Sequence, residues 1–347
     1  MRAENHGSAL SGAGPAPPQA LPHKEPMRAF SDNHMKSAES LPADGRSAAC
    51  HGPMEALSPA GFPAQDRPTP LIRIGALMGA VLGTIWYALD PRHRKTAEEN
   101  VRLALGLNGS AARGITRANF RHLARVFAEF PGMVGMSAQN ISRFVEAHGV
   151  DHVHRSLEKG RGVLILTSHF GNWEWMAYGA PFFLPARLNI VARPLRPQGL
   201  NRWVTALRER SGNRVIAKDH ALIHALKALK RNEIVAFLLD HNAGKKTGVW
   251  APFFGGYVLT HKTLAHIALK TEAPVHPVFN RRLPDGRYRI DVGPEIPPPP
   301  PSGSREERAE AMTAAFNAVI EARIRHTPEQ WYWIHRRFRR FRLDKPR

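Results

Sequence analysis

Cysteine is almost absent: Cys50 is the single one in 347 residues. That excludes an internal disulfide framework and a Cys-based zinc site, and it gives no reason to expect a catalytic thiol. Despite 18 His there is no His-Glu-x-x-His pattern, so no metal is expected. Acidic residues are scarce, with 29 Asp and Glu against 49 Lys and Arg and a formal charge of +20. A surplus of this size predicts acidic partners: nucleic acid, an anionic membrane surface, phosphorylated substrates or an acidic carrier protein. The N-terminus lacks the apolar run after a basic start that marks a secretory signal. Aromatics are missing from residues 1–70 apart from Phe30 and Phe62, while Ala, Pro, Ser and Gly abound. Such a stretch cannot bury enough apolar surface to offset its ordering entropy, so it is expected to be a disordered extension.

Long apolar runs are rare too, and the exception stands out. "LIRIGALMGAVLGTIWYAL" at 71–89 carries one charge, Arg73, near its start. As a helix at ~1.5 Å per residue it measures about 28 Å, close to the hydrocarbon thickness of a bilayer. Gly75, Gly79 and Gly83 recur every four residues, the spacing that lets transmembrane helices approach closely. The segment reads as a membrane anchor or as an interfacial helix. Arg92, Arg94 and Lys95 follow directly and favour the cytoplasmic side for what comes next, although Arg67 and Arg73 flank the other end.

From about residue 94 the pattern is α/β. "ITRANFRHLARVFAEF" shows helical spacing through Phe120, Leu123, Phe127 and Phe130, and "ENVRLAL" does so less regularly. Apolar strand-like runs then alternate with helix-like segments: "GVLILT", "LNIVA", "NRVIA", "EIVAFLL" and "APVHPVF", with "ALIHALKALK" between the third and fourth. This alternation predicts a mostly parallel central sheet flanked by helices. "PPPPP" at 297–301 reads as a rigid connector into a last amphipathic helix over 305–325.

Chemistry concentrates in "GVLILTSHFGNWEW" at 162–175. The run before His169 is continuous, as in a strand buried on both faces, so His169 falls where a strand meets a loop. The segment after Gly171 and Asn172 reads as a helix, with Glu174 in or near its first turn. In α/β sheets, sites gather at the carboxyl ends of strands, where helix N-termini offer free N–H donors. The spacing of His169 and Glu174 is weak on its own, because His34/Glu39 and His93/Glu98 share it. A strand-end His with a carboxylate nearby could remove a proton from an attacking hydroxyl, which suits acyl transfer from a thioester. The residues equally allow a structural His that caps the helix or lines the core.

The stretch "GRGVLILTSHFGNWE" resembles the signature of the late acyltransferases of lipid A biosynthesis, the lauroyl and myristoyl transferases, a branch of the glycerolipid acyltransferases defined by a His, four residues and an acid. Further blocks resemble the family in order: "AEENVRLAL", the Glu129 helix, "ARPLRP", "RERSGNRVI", "LLDHNAG", "PFFGG", "APVHPVF" and "TPEQWYWIHRRFR". The resemblance covers about residues 71–342. It implies an inner-membrane enzyme, its catalytic domain on the cytoplasmic side, that moves a fatty acyl chain from acyl carrier protein to a hydroxyl of a lipid A precursor without a cofactor. It implies His169 as base with Glu174 as its partner, and Arg193, Arg208 and Asp240 lining the substrate site. The two arginines suit phosphate or carboxylate groups, and Asp240 would orient a donor or an Arg at the same sheet edge. It also sets the domain limits at 90–342, with 343–347 as a tail. Ala192 departs from the family, which has an aromatic before this Arg, and that puts the acceptor in question more than the reaction.

Two rival readings stand beside it. Another polar lipid, a lysophospholipid or a glycolipid, could be the acceptor. The C-terminal "HRRFRRFRLDK" interleaves Arg and Phe as a nucleic-acid binder would, but its plain reading is a solvated basic tail, and membrane phosphates rank above nucleic acid.

Overall fold

The computed structural model describes residues 70–217 and 221–346. The extension expected over 1–70 lies outside them except for its last residue. Helix α1 (Pro70–Leu89) runs into α2 (Pro91–Leu105). Between them the Asp90 side chain accepts from the His93 N–H at 3.0 Å, Pro91 occupies the first helical turn where its missing N–H costs nothing, and Gly106, at φ 66°, ends α2. Helix α3 (Gly109–Glu129) follows.

The chain then builds β1 (Val145–His148), α4 (Val150–Leu157), β2 (Val163–Thr167), α5 (Trp173–Gly179), β3 (Leu188–Ala192), α6 (Gln198–Glu209) and β4 (Arg214–Ala217). Next come α7 (Ala221–Lys230), β5 (Ile234–Leu238), a hairpin of β6 (Gly248–Phe253) and β7 (Gly256–His261), and α8 (Thr263–Thr271). The last elements are β8 (Val275–Arg282), β9 (Tyr288–Val292) and α9 (Arg305–His326). Seven strands form one sheet in the order β1-β9-β8-β2-β5-β3-β4, parallel except for the antiparallel pair β8–β9. The mostly parallel sheet expected from the sequence is present, and each of the five apolar runs is a strand within it.

Strand β2 lies at the centre with all five residues buried. Its side chains alternate as a pleated strand requires. Leu164 and Leu166 join Val235 and Phe237 in the core on one face, while Val163 and Ile165 join Ile234 and Ala236 on the other. Helices therefore cover both faces, and only the strand ends reach solvent. The capping box at Ser304 and Glu307 starts α9, four residues after the proline run.

The glycines of α1 meet a partner within the chain. A Cβ at Gly79 would lie 2.5 Å from Arg125 Cβ, and one at Gly83 would lie 2.4 Å from Arg121 Cα, so α1 packs against α3 at backbone distance along the glycine stripe. Its other side leaves Ile74, Leu77, Val81, Ile85 and Leu89 exposed. Among the described residues no single helix is long and apolar enough to cross a membrane; α1 and α2 together have the length and composition but bend by 97°. Phe127, in helical spacing with the buried Phe120 and Leu123, is half exposed and meets Trp86 of α1 with ring centroids 6.1 Å apart. Gly83→Ala should drive α1 off α3 and cost about 1–3 kcal/mol, as overpacking against backbone does, read as a lower thermal midpoint in detergent. An unchanged midpoint would mean that this contact contributes nothing to stability.

Candidate active site

The parallel register sets His169 beside an acid. Thr167 of β2 lies opposite Leu238 of β5, and two residues beyond each stand His169 and Asp240. Asp240 Oδ1 is 2.8 Å from His169 Nδ1, and Oδ2 accepts from the His169 N–H at 2.9 Å and from Trp331 Nε1 at 2.8 Å. Asp240 is buried. Burial alone would raise its pKa, yet the adjacent charge and hydrogen bonds of His169 hold it far below the usual carboxylate range. An ionised carboxylate only accepts, so His169 carries its proton on Nδ1 and keeps the Nε2 lone pair free.

The turn after His169 is built for one residue type. Gly171 sits at φ +61°, and a Cβ there would lie 1.8 Å from the Asn280 carbonyl oxygen, which excludes every side chain. His122 Nε2 reaches the Gly171 carbonyl at 3.1 Å, the Gly171 N–H donates to Gln330 O at 3.0 Å, and Asn280 Nδ2 donates to Asn172 O at 2.9 Å. The Asn172 side chain caps α5 by accepting from the Trp175 N–H at 3.1 Å. Beneath it lies buried Glu129, which accepts from Arg125, from both Nη atoms of Arg282 and from the Tyr288 hydroxyl. Burial works to raise the Glu129 pKa, but the Arg282 charge and hydrogen bonds keep it lowered. The Glu129 helix thus braces the loop that carries His169.

The structure differs from the expected pairing of His169 with Glu174. Glu174 lies in the first turn of α5 and binds Arg208, from the last turn of α6, as a two-pronged pair: Nε to Oε2 at 2.9 Å and Nη2 to Oε1 at 2.6 Å. Arg208 is held charged, since the Glu174 carboxylate outweighs the burial that would lower its pKa. The carboxylate on the imidazole is Asp240, because strand register places it there, whereas α5 carries Glu174 toward α6. Of the two partners expected for Asp240, a donor or an Arg, it holds donors: His169 and Trp331. Arg193 lies just beyond β3 and is exposed.

The C-terminal block folds over the same sheet edge. Trp331 and Trp333 are buried, and of the stretch read as a solvated basic tail Arg337 and Phe338 are buried while Arg336, Arg339 and 342–345 are exposed. Arg337 donates to the carbonyls of His241 and Leu259 and to Thr260 Oγ1, and the Tyr332 N–H donates to His169 O at 3.1 Å. His241 stacks on His169 with ring centroids 4.2 Å apart and planes 3° apart, and His335 stacks on His241 at 4.1 Å and 13°. Sequence reasoning did not single out His241, Trp331, His335 or Arg337 individually. The density of Trp, Tyr, His and Arg over 331–337 was the available signal, since solvated tails are poor in large aromatics.

An apolar cavity lies across Trp173 from the imidazole, walled by Thr167, Trp173, Met176, Leu184, Leu238 and Val278 among others. Trp173 forms part of this wall and also meets His169 edge-on, with centroids 5.1 Å apart.

Among the described residues, His169, Asp240 and His241 are grouped closely enough to hold a metal ion, their ligand atoms lying within 4.8 Å of one another. Lone pairs of ring nitrogens lie in the ring planes. Two parallel stacked rings therefore point side by side instead of converging on a tetrahedral centre, and His169 Nδ1 is already bonded to Asp240. The arrangement fits proton transfer better than metal ligation.

The sequence model of the family described as "Bacterial lipid A biosynthesis acyltransferase" matches residues 71–340. The chain is 28% identical to the "Lipid A biosynthesis lauroyltransferase" of Escherichia coli (strain K12), over 76% of this chain and 84% of that protein. It is 28% identical to the "Lipid A biosynthesis palmitoleoyltransferase" of the same strain, with the same coverage. A "Phosphatidylinositol mannoside acyltransferase" of Mycolicibacterium smegmatis is 26% identical over 63% of this chain and 71% of that protein.

Proposed function

The chain belongs to the bacterial lipid A biosynthesis acyltransferase family and is an enzyme that transfers acyl groups; from that premise we propose that it moves a fatty acyl chain from acyl carrier protein to a hydroxyl of a lipid A precursor, with His169 as general base. The observation that carries this reading is the oriented His169, with Nε2 free, in edge-on contact with Trp173, which walls an apolar cavity. The acyl chain lies in the cavity with its thioester carbonyl near the Trp173 end. His169 Nε2 takes the proton of the acceptor hydroxyl as the hydroxyl oxygen bonds to the carbonyl carbon. The tetrahedral intermediate then expels the carrier thiolate, which recovers the proton from His169. Asp240 stabilises the transient imidazolium and keeps the tautomer. Because the thioester is already activated, no enzyme nucleophile is needed.

Glu174 fixes the guanidinium of Arg208, and Arg208 together with Arg193 offers planar donors to phosphate on the acceptor or on the carrier arm. The exposed apolar side of α1, bordered by Arg73, Arg92 and Arg94, suits an anionic inner-membrane surface on the cytoplasmic side. Leu77→Glu combined with Val81→Glu should release much of the protein from membranes in a high-salt wash while leaving turnover on detergent-dispersed acceptor. Full retention on the membrane would place the lipid contact elsewhere.

The donor assignment rests on charge. A positive enzyme steers an acidic carrier, so raising salt should lower kcat/KM with acyl carrier protein by about tenfold and leave a slower coenzyme A thioester less affected. Equal use of both donors at every ionic strength would overturn it. One relative is named for phosphatidylinositol mannoside, which favours another polar glycolipid as the second reading for the acceptor. Mass spectrometry of lipids from a strain lacking this protein separates the two: loss of one acyl chain from lipid A supports the proposal, and loss from another lipid supports the alternative.

A further inference from the structure

His169 does not stand alone at the sheet edge. His241 lies flat on it and His335 lies flat on His241, giving three imidazoles in one stack. His241 and His335 are both held through their backbones: Arg337 Nη1 donates to the His241 carbonyl at 2.9 Å, and Asn100 Nδ2 donates to the His335 carbonyl at 2.7 Å. We infer that His241, backed by His335, is a positioning residue for the general base: it holds the ring plane of His169 and lends its π face to the imidazolium that forms during acyl transfer. The inference rests on His169 being that base.

Two further observations support it. Burial, followed by the charge of His169, lowers His241 to about 3, and burial lowers His335 to about 4. Both rings are therefore neutral near pH 7, so the positive charge that forms during acyl transfer stays on His169, where Asp240 accepts from Nδ1. A neutral aromatic face against a cation is attractive, and more so away from water. Meanwhile His241 Nε2 and His335 Nδ1 are buried without a protein partner. A ring that only filled space would serve better as hydrocarbon.

The experiment uses the full chain and compares His241→Phe, His241→Leu and His169→Ala. Phe keeps a stacked face, whereas Leu keeps bulk without one. Leu should lower kcat by about tenfold with KM for both substrates within about twofold, and Phe should restore kcat to within about threefold of the unsubstituted enzyme. Equal rates for Leu and Phe, or a loss that falls on KM, would overturn the inference while leaving the base in place. Turnover in a folded His169→Ala protein would remove the base itself, a separate failure. Should His241→Leu not fold, His335→Leu tests the same stack one ring further out: a drop of about threefold in kcat at constant KM supports it, and an unchanged kcat contradicts it.

Discussion

Replacing Asp240 with Asn should lower kcat by about 10³-fold or more while the protein stays folded. Oδ2 of Asp240 accepts from two donors, the His169 N–H and Trp331 Nε1, so the amide oxygen of Asn must take that place. Its NH2 group then faces His169 Nδ1, which becomes the acceptor, and the ring proton moves to Nε2 where the lone pair is needed. Asn also removes the charge that stabilises the imidazolium. Adding Asp240→Asn to His169→Ala should cost little more than the worse single change, because residues that act as one unit are not additive. Glu174 should couple elsewhere. Glu174→Gln and Arg208→Gln are each expected to lower kcat/KM by about 10²-fold, with the double change close to either single one. A cycle in which Glu174 couples to His169 and not to Arg208 would instead make Glu174 the carboxylate that serves the imidazole.

The second large effect is a steep loss of stability in mild acid. His122 and His241 are lowered to about 3, and His335 to about 4, each mainly by burial. An unfolded chain protonates these residues near pH 6.5, but the folded one does not. Stability conferred by neutral burial is thus complete above about pH 6.5 and falls as the pH drops toward the folded values, by about 2 kcal/mol per histidine at pH 5. Glu129 and Asp240, both lowered in the folded state, act in the same direction at lower pH: their contribution is present above the unfolded carboxylate pKa and is lost as pH falls through the folded one. Denaturant titrations at pH 7.5, 6 and 5 should show unfolding coupled to the uptake of about three protons near pH 5. His122→Gln, which can still donate to the Gly171 carbonyl, should remove about one of them. Constant stability from pH 7.5 to 5 would show that these rings are not buried as neutral groups.

How much of this was legible in the sequence differs by the range of the interaction. The strands around "GVLILT", "LNIVA", "NRVIA", "EIVAFLL" and "APVHPVF" were readable because strands buried in a sheet need apolar runs, and these five are four of the inner strands and the β4 edge. The strands β1 and β9 carry mixed residues, "VEAH" and "YRIDV", a pattern that loops share. His169 at a strand end was readable for the same reason. The carboxylate bonded to it was not, because it comes from register between strands 71 residues apart, and no local spacing records register. The glycine stripe of α1 was visible as a surface for close approach, yet its partner, α3, follows only from tertiary packing. The block "WYWIHRRF" showed its density of aromatics and arginines, but the burial of Arg337 depends on carbonyls supplied by the distant loop after β5 and by strand β7.

The central claim is that His169 performs base-catalysed acyl transfer to a lipid A precursor. The most direct measurement incubates purified full-length protein and its His169→Ala variant with acyl carrier protein bearing a fatty acyl chain and a precursor with a free hydroxyl, and follows the lipid by mass spectrometry. The unsubstituted protein is predicted to add one acyl group, with one carrier thiol released per chain transferred, and the folded variant to be slower by about 10²-fold or more. A folded His169→Ala protein that acylates the precursor at the full rate, or an unsubstituted protein that leaves the precursor unmodified while acylating another lipid, would contradict the account.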